Sequence, residues 1–213
     1  MASPPVYGSS GAARRSRLLS PLAARARRRR HERFFATLGL PPAARILDVG
    51  CGSLGLRAME PDRDITGVDL RPAPGYPGPF VQADVLAGLP FEDDAFDLVY
   101  CSSVIEHIDP ADRTRFVAEL RRVGRGLFLQ TPAFSFPIEP HAVLPAAHWL
   151  PVVLRRPYWR LGVQGHWEDV RLLRRAELER LTGLPVVGEK VGPLTKSWIA
   201  LGRPNVQDGA QVV

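Results

Sequence analysis

Three glycines between an apolar segment and a helical pattern are the first residues of this chain whose spacing points to chemistry. Gly50, Gly52 and Gly55 of DVGCGSLG form a G-x-G-x-x-G pattern. Such a turn brings backbone amides close to a ligand at the start of a helix. Because a tight strand-to-helix turn also needs glycine for steric reasons, neighbouring side chains must decide between the two roles.

Three aspartates near these glycines indicate the kind of ligand. Asp69 ends the next apolar segment, 19 residues after Gly50, where a carboxylate can accept hydrogen bonds from both ribose hydroxyls or simply begin a turn. Asp84 ends the following segment and suits an adenine amino group. Asp48 would repel a pyrophosphate but attract an ammonium or a sulfonium. The pattern therefore favours S-adenosylmethionine over NAD.

Short apolar segments that alternate with helical patterns must position these residues. Strands are predicted at 45–49, 64–70, 80–84, 96–102 and 126–131. Helical patterns follow the first, fourth and fifth strands, and the clearest is DPADRTRFVAELRRV, with Asp109 as its cap and Pro110 in its first turn. This alternation predicts an α/β fold with a parallel sheet covered by helices on both faces.

The connections and the C-terminal part complete this prediction. RPAPGYPGP, between the second and third strands, predicts a loop in place of a crossover helix. Residues 132–168, rich in proline and aromatic side chains, predict a long loop of the kind that often forms a substrate site. A last helix is expected at 174–184, followed by two strands at 185–192 and 195–202.

The net charge of +6 is concentrated at the N-terminus. Residues 1–33 contain nine Arg and one Glu and so carry +8, which leaves 6 − 8 = −2 for the remainder. We expect a disordered basic tail at 1–20, a helix at 21–42 and a disordered tail at 204–213. The Arg, Ser and Ala content of the arm is also that of an organelle transit peptide.

Cysteine usage and hydropathy favour a cytoplasmic protein. Cys51 and Cys101 have neither metal-ligand spacing nor the density of a disulfide scaffold, which indicates free thiols in a reducing compartment. No segment approaches 18 uninterrupted apolar residues, the length that a membrane-spanning helix needs. No feature of the sequence requires a second copy of the chain.

Several motifs in order resemble those of class I S-adenosylmethionine-dependent methyltransferases of the small bacterial type 11 kind. They are ILDVGCGSLG, ITGVDLRP, FVQADVLAGLPFEDDAFDLVYCSSVIEHI and the two terminal strands. The resemblance covers a methyltransferase domain at 43–203. It implies a Rossmann-like, mostly parallel sheet of seven strands with an antiparallel terminal strand, and S-adenosylmethionine as cofactor.

The resemblance also assigns roles to residues. It implies that Asp48, Gly50 and Gly52 approach the methionine moiety, that Asp69 binds the ribose, and that Asp84 with Val85 flanks the adenine. The predicted cofactor-binding set is Asp48, Gly50, Cys51, Gly52, Asp69, Leu70, Asp84, Val85 and Ser102. One departure is clear: Leu54 replaces the last glycine of the usual G-x-G-x-G, and Gly55 follows it.

The acceptor is expected beside SSVIEHIDP, which follows the fourth strand. Histidine is the side chain best suited to proton transfer near neutral pH, so His107 is the first candidate for a general base. Its alternative role, with Glu106, is to cap and pack the following helix. His141, in TPAFSFPIEPHAVLPAAHWLP, is the second candidate, since that segment resembles the acceptor loop of small methyltransferases from glycan and lipid biosynthesis.

A metal is not predicted. Some related methyltransferases carry E-x-x-E-H at this position and bind a divalent ion, but Ser103 replaces the first glutamate here. Hard divalent ions favour several oxygen ligands. Glu139, His141 and His148 are the residues with which Glu106 and His107 would have to complete a site.

These observations predict methyl transfer to a small-molecule, glycan or lipid-linked acceptor, with an oxygen slightly preferred. HWLPVVLRRPYWRLG mixes Trp, Tyr and Arg as in segments that lie on a membrane surface, and with the basic arm it predicts peripheral contact with the inner face of an anionic membrane. The arm also suits nucleic acid, so an RNA or protein methyltransferase is one rival. A non-catalytic module that keeps the fold is the other.

Overall fold

A seven-stranded sheet forms the centre of the molecule in the computed structural model, which describes residues 38–139, 141–162 and 170–203. Its strands are β1 (Arg45–Val49), β2 (Asp64–Asp69), β3 (Phe80–Gln82), β4 (Leu98–Ser102), β5 (Leu127–Pro132), β8 (Val186–Val191) and β9 (Leu194–Gly202). The order is β3-β2-β1-β4-β5-β9-β8. Strand β9 runs opposite to the other six strands of this sheet, so the predicted fold class is confirmed.

Strand order reverses between β1 and β4, which pair in parallel. In open α/β sheets, ligands bind at the carboxyl edge beside such a reversal. The glycine turn leaves β1 at this edge, and the segment with Glu106 and His107 leaves β4 beside it. The topology therefore places the two motifs next to each other.

Three α-helices are described: α1 (Arg113–Val123), α2 (Val152–Trp159) and α3 (Arg175–Thr182). On one face of the sheet, Phe116 and Leu120 of α1 and Leu178 of α3 pack in a single buried cluster with strand residues. On the other face, Leu56 and the Leu38–Leu40 segment pack in a second cluster. Most of the predicted 21–42 helix lies outside the described residues, as do both predicted tails. No described helix is long and apolar enough to cross a membrane.

The helix expected after β1 is wrong. Residues 52–59 form consecutive turns, because Gly50, Gly52 and Gly55 adopt positive φ angles of 72°, 56° and 53°. A left-handed residue at each of these positions prevents a regular right-handed helix from forming. The predicted loop between β2 and β3 is confirmed, as is the turn between the terminal strands.

Two predicted element ends are also corrected. The first described helix begins at Arg113 and has Asp112, not Asp109, at its cap position, because Asp109 accepts a hydrogen bond from Ala111 N and closes its own turn. The third strand ends at Gln82, two residues before Asp84. Asp84 instead caps a 3-10 turn at Val85–Ala87, where its Oδ1 accepts from Leu86 N.

The segment predicted as a long loop has regular structure of its own. It contains a two-stranded sheet of β6 (Ile138–Glu139) and β7 (Leu144–Pro145), a 3-10 turn at Ala147–Trp149 and then α2. Trp159, 3% exposed, packs with Ala142 and Leu144 in a small separate cluster. This packing gives a fixed position to the side chains of the β6–β7 hairpin.

Candidate active site

The glycine turn joins three elements of the sheet edge. The amides of Gly50 and Cys51 both donate to Val68 O, at 2.8 and 3.2 Å. A Cβ atom at Gly50 would lie 2.3 Å from Cγ2 of Val104. The turn after β1 is therefore fixed to β2 by hydrogen bonds and packed against the segment that follows β4.

Asp48 shapes the same turn from below. Its side chain is buried, and its Oδ2 accepts a 2.6 Å hydrogen bond from Leu56 N. A Cβ atom at Gly55 would lie 2.3 Å from this oxygen. Position 55 has no room for a side chain, so the third glycine of the motif is needed there. This explains why Gly55 is the third glycine and Leu54 occupies the usual position.

Burial raises the pKa of the Asp48 carboxyl to about 7. The hydrogen bond from Leu56 opposes this shift, and the nearby negative charge of Asp69 adds to it. A cation bound near Asp48 would favour the ionised form. The ammonium and sulfonium of the predicted cofactor supply such a charge.

Asp69 and Asp84 lie at the carboxyl edge of neighbouring strands. Asp69 Oδ2 accepts from Gly52 N at 2.9 Å, and its Oδ1 accepts from Arg71 N at 3.0 Å. Each carboxylate oxygen can accept a second hydrogen bond. Ala83 N donates to Asp69 O, which brings the ends of β2 and β3 together. The carboxylates predicted for the ribose and adenine thus share one edge.

The other predicted cofactor residues have varied surroundings. Leu70 is 63% exposed beside Asp69. Val85 is half-buried in the 3-10 turn that Asp84 caps. The hydroxyl of Ser102 donates to Gln130 Oε1 on the next strand at 2.6 Å. All of the predicted set lies along the edge formed by the ends of β1 to β4.

Cys51 is buried against a residue that the sequence analysis missed. Burial, with the negative charges of Asp48 and Asp69, raises the pKa of its thiol to about 12, so the thiol stays protonated. Tyr76, from the Pro-rich loop after β2, packs with Cys51 and Phe80. The absent side chain of Gly67 makes room, since a Cβ atom there would lie 2.5 Å from the Tyr76 ring. No period or motif marks this tyrosine in the sequence.

On the side predicted for the acceptor, Glu106 and His141 contact each other although they are far apart in the chain. Glu106 is completely buried, and its Oε2 accepts from the Thr131 hydroxyl at 3.0 Å. Its Oε1 lies 3.7 Å from His141 Nε2. The His107 ring packs edge-on against the His141 ring, with 5.0 Å between centroids. Both histidines proposed to face the acceptor are therefore in one cluster.

Glu139 holds His141 from the opposite side. Its Oε1 lies 2.7 Å from His141 Nδ1, and its Oε2 accepts from Ala142 N at 2.5 Å. Burial alone would lower the pKa of the His141 imidazole, but the Glu106 and Glu139 carboxylates together raise it to about 9. The sequence marks Glu139 only as a candidate ligand and gives no sign of this contact.

The alternative role of Glu106 and His107 at a helix cap is only partly met. Both lie in a 3-10 turn, Ile105–His107, and Glu106 is packed inside the protein. Neither residue caps α1, which has Asp112 at its cap position. His148 is not part of the cluster: its Nε2 lies 2.8 Å from Phe134 O, and burial lowers its pKa.

Residues 47–126 match the family model of a methyltransferase domain. A search of curated proteins gives no match. Among solved structures, an S-adenosylmethionine-dependent methyltransferase from Methanosarcina mazei is 17% identical, with a TM-score of 0.51 over 77% of this chain and 94% of that one. A protein from Pyrococcus horikoshii is 18% identical, with a TM-score of 0.53 over 93% of each chain.

A third similar structure is magnesium protoporphyrin IX methyltransferase from Synechocystis with bound S-adenosylhomocysteine. It is 14% identical, with a TM-score of 0.54 over 84% of each chain. At these identities the structural likeness defines the fold and leaves the acceptor open. The edge carboxylates and the open space in front of Gly52, where a Cβ would meet nothing within 4 Å, fit S-adenosylmethionine as cofactor. Residues 47–126 therefore match a methyltransferase domain, and the chain has the fold of the similar S-adenosylmethionine-dependent methyltransferase structure.

Proposed function

We propose that the protein transfers the methyl group of S-adenosylmethionine to an oxygen of a small-molecule, glycan or lipid-linked acceptor. The observation that carries this proposal is the contact between the glycine turn after β1 and the segment that follows β4. Val104 packs on Gly50 of the cofactor turn, and the amide of His107 donates to Val104 O. An acceptor beside the histidines would therefore lie next to the cofactor.

Alignment supplies much of the rate in such a transfer. The sulfonium is already an activated methyl donor, so an acceptor held in line with the carbon–sulfur bond needs little further help. The acceptor oxygen forms a bond to the methyl carbon while the carbon–sulfur bond breaks, leaving S-adenosylhomocysteine. A hydroxyl acceptor must also lose its proton, and this step gives the Glu106–His107–His141 cluster a role.

In this account Asp69 binds the ribose hydroxyls, Asp84 and Val85 flank the adenine, and Asp48 with Gly50 and Gly52 surrounds the methionine end. Two properties support these roles. Asp69 and Asp84 have their backbone contacts at the carboxyl edge, and Asp48 lies buried beneath the glycine turn. None of the three carboxylates forms an ion pair with an Arg or Lys within the described part of the chain, so each can meet a ligand group.

The test is release of S-adenosylhomocysteine with a panel of hydroxylated acceptors, followed by mass analysis of the product. We expect His107→Gln to lower the rate at least tenfold, since positioned proton-transfer groups contribute about 10²–10⁴, while S-adenosylhomocysteine binds within twofold of wild type. Unchanged turnover in this variant would exclude His107 from the reaction. Methylation only of amines would contradict the oxygen acceptor.

Removing residues 1–30 separates this proposal from its macromolecular rival. An RNA or protein methyltransferase guided by the basic arm would lose substrate binding, because most of its phosphate-pairing charge would be gone. We expect turnover of a small acceptor to change by less than twofold. A large loss would favour the rival.

The surface of α2 supports an additional contact with anionic lipid. Val152, Val153 and Leu154 are 57%, 79% and 55% exposed. The segment from 150 to 162 has three arginines and no acidic residue. Exposed apolar side chains with flanking arginines are typical of segments that insert into the interface of an anionic membrane.

Sedimentation with vesicles of phosphatidylglycerol or phosphatidylcholine tests this contact. We expect Val153→Asp to reduce binding to the anionic vesicles severalfold. The matched control is Val191→Asp, at a 54% exposed position on β8, which should have no effect. Equal binding of the two variants would assign the interaction to the basic arm alone.

A further inference from the structure

One oxygen of Glu106 is buried without a hydrogen-bond partner among the described residues. Glu106 is 0% exposed, and Oε1 receives no donor while Oε2 is held by Thr131. The distance from Oε1 to His141 Nε2, 3.7 Å, is too long for a hydrogen bond. Buried polar groups are nearly always paired, so this oxygen points to a missing ligand.

His141 presents its Nε2 to the same place because Glu139 fixes the other side of the ring. The 2.7 Å contact between Glu139 Oε1 and His141 Nδ1 favours a proton on Nδ1. A metal ion would therefore displace the proton of Nε2 and use the lone pair that is directed at Glu106. A carboxylate that accepts from the far nitrogen of a histidine is the usual support of a metal-binding imidazole. Thr131 orients the Glu106 carboxylate in a comparable way.

His107 completes a set of three. One ligand atom from each of Glu106, His107 and His141 lies within 4.8 Å of the others. Two ligands at about 2.1 Å from a tetrahedral ion are about 3.4 Å apart, close to the observed 3.7 Å between Glu106 Oε1 and His141 Nε2. We propose that Glu106, His107 and His141 bind one divalent transition-metal ion.

The ligand types select the class of ion. Two imidazole nitrogens and one carboxylate suit Zn²⁺, Co²⁺ or Fe²⁺, whereas Mg²⁺ and Ca²⁺ prefer sets of oxygen atoms. With Ser103 at the first position of S-x-x-E-H, the set has only one carboxylate, which disfavours Mg²⁺ and Ca²⁺. The Ser103 hydroxyl instead donates a hydrogen bond to Gln130 Oε1 at 3.2 Å.

A site with three protein ligands keeps a position open for substrate. This part of the inference rests on the proposed function: the acceptor hydroxyl binds there, and the positive charge lowers its pKa. The hydroxyl proton passes to solvent, the oxygen then bonds to the methyl carbon, and the carbon–sulfur bond breaks. In this arrangement His107 and His141 assist the loss of the hydroxyl proton as ligands of the ion, in place of removing the proton directly as general bases.

The test begins with metal-free, full-length protein titrated with Zn²⁺, Co²⁺ and Mg²⁺ by calorimetry. We expect one equivalent of Zn²⁺ to bind at least a hundredfold more tightly than Mg²⁺, and the Co²⁺ complex to show the visible absorption of a four- or five-coordinate ion. Binding of Mg²⁺ as tight as that of Zn²⁺ would overturn the assigned class of ion.

Substitutions then locate the site. Glu106→Gln and His141→Ala should each weaken Zn²⁺ binding by more than about 10- to 100-fold, and Glu139→Gln, which acts through His141, by about tenfold. Two controls are matched by residue type. Glu92→Gln alters an exposed glutamate, and the double variant His31→Gln/His166→Gln alters the histidines outside the described residues. Both should bind Zn²⁺ as wild type does.

Failure of this inference can be told apart from failure of the proposed function. Each variant should bind S-adenosylhomocysteine within twofold of wild type, which shows that it is folded. Zinc binding that survives Glu106→Gln and His141→Ala, or that is lost in the double control, would overturn the site. Acceptor methylation that is equally fast after chelation would overturn the metal's role while leaving the proposed function intact.

Discussion

Two regions at the carboxyl edge of the sheet contain buried or half-buried carboxylates: the glycine turn after β1, which is the proposed cofactor turn, and the cluster of Glu106, His107, Glu139 and His141, which is the proposed acceptor edge. The carboxylates of the two regions have different partners. In the cofactor turn, Asp48 and Asp69 accept from backbone amides of Leu56, Gly52 and Arg71. At the acceptor edge, Glu106 and Glu139 contact the side chains of Thr131 and His141, and only Glu139 also accepts from a backbone amide, that of Ala142. Backbone partners fix a loop, whereas side-chain partners orient one another around a ligand.

The difference extends to how each region is assembled. The hydrogen bonds that fix the turn join residues between Asp48 and Arg71, and Val104 packs on Gly50 from the segment after β4. The acceptor edge joins the end of β4 to a hairpin more than 30 residues later. A change in the turn should therefore act on folding and cofactor binding together, while a change at the edge should spare the cofactor.

The largest effect is expected from Gly55→Ala in the turn. The new Cβ would lie 2.3 Å from Asp48 Oδ2 and 2.8 Å from the Tyr76 ring, at a φ of 53°. Overpacking and a strained φ should together lower the free energy of unfolding by about 2–5 kcal/mol. Urea denaturation of the full chain measures this value.

Gly52→Ala is the matched control for that variant. Its φ is 56°, but a Cβ atom there would meet nothing within 4 Å. Only the strain of the left-handed conformation remains, about 1 kcal/mol. Equal losses in the two variants would contradict the tight packing of Gly55 on Asp48.

A smaller loss of stability, with no effect on cofactor binding, is expected from Arg113→Met. Arg113 is 2% exposed, pairs with Glu177 at 2.5 Å, and donates to Arg171 O and Ile108 O. It ties the segment after β4 to α1 and α3. Its loss should reduce the free energy of unfolding by about 2–3 kcal/mol.

The binding of S-adenosylhomocysteine to this variant should stay within twofold of wild type, because Arg113 makes no contact with the turn. The exposed Arg115→Met is the control, with an expected change below about 0.5 kcal/mol. A tenfold weaker binding of S-adenosylhomocysteine by Arg113→Met would contradict the independence of the cofactor turn from the acceptor edge.

The smallest effect is a pH dependence that belongs to the turn. With a pKa of about 7 in the free protein, Asp48 is largely protonated at pH 6 and largely ionised at pH 8. In the proposed site, ionised Asp48 would attract the cationic groups of S-adenosylmethionine, so affinity should rise severalfold between these pH values. Calorimetry in buffers of different ionisation enthalpy should detect proton release near pH 7. Asp48→Asn should flatten the profile, and a profile unchanged by that substitution would assign the titration to another group.

The parts of the fold that can be predicted from the sequence are those in which local pattern determines structure. The parallel strands, the terminal pair of strands and the aspartates at strand ends follow from short-range hydrophobic pattern and turn chemistry, and the fold is confirmed. The prediction of a helix after β1 was wrong because Asp48 and Tyr76 lie against Gly55 in the folded chain. These are tertiary contacts, and the helical spacing of apolar residues does not reveal them. The predicted strand end at Asp84 was wrong for a local reason: the Asp84 side chain accepts a hydrogen bond from Leu86 N and caps a 3-10 turn.

The acceptor edge was less accessible to prediction. His107 and His141 could be named as titratable residues, but their contact depends on the fold of the β6–β7 hairpin and on Trp159 packing beneath it. The roles of Thr131 and Gln130 depend on register in β5. Such contacts join segments separated by tens of residues, and composition and spacing do not encode them.

Calorimetric titration with S-adenosylhomocysteine tests the central claim most directly, on wild type, on Asp69→Ala and on the exposed control Asp62→Ala. The account predicts micromolar binding that Asp69→Ala weakens at least tenfold, about 1.4 kcal/mol, and that Asp62→Ala leaves unchanged. No binding by folded wild-type protein, or equal binding by all three proteins, would contradict a cofactor site at Asp69 and the glycine turn.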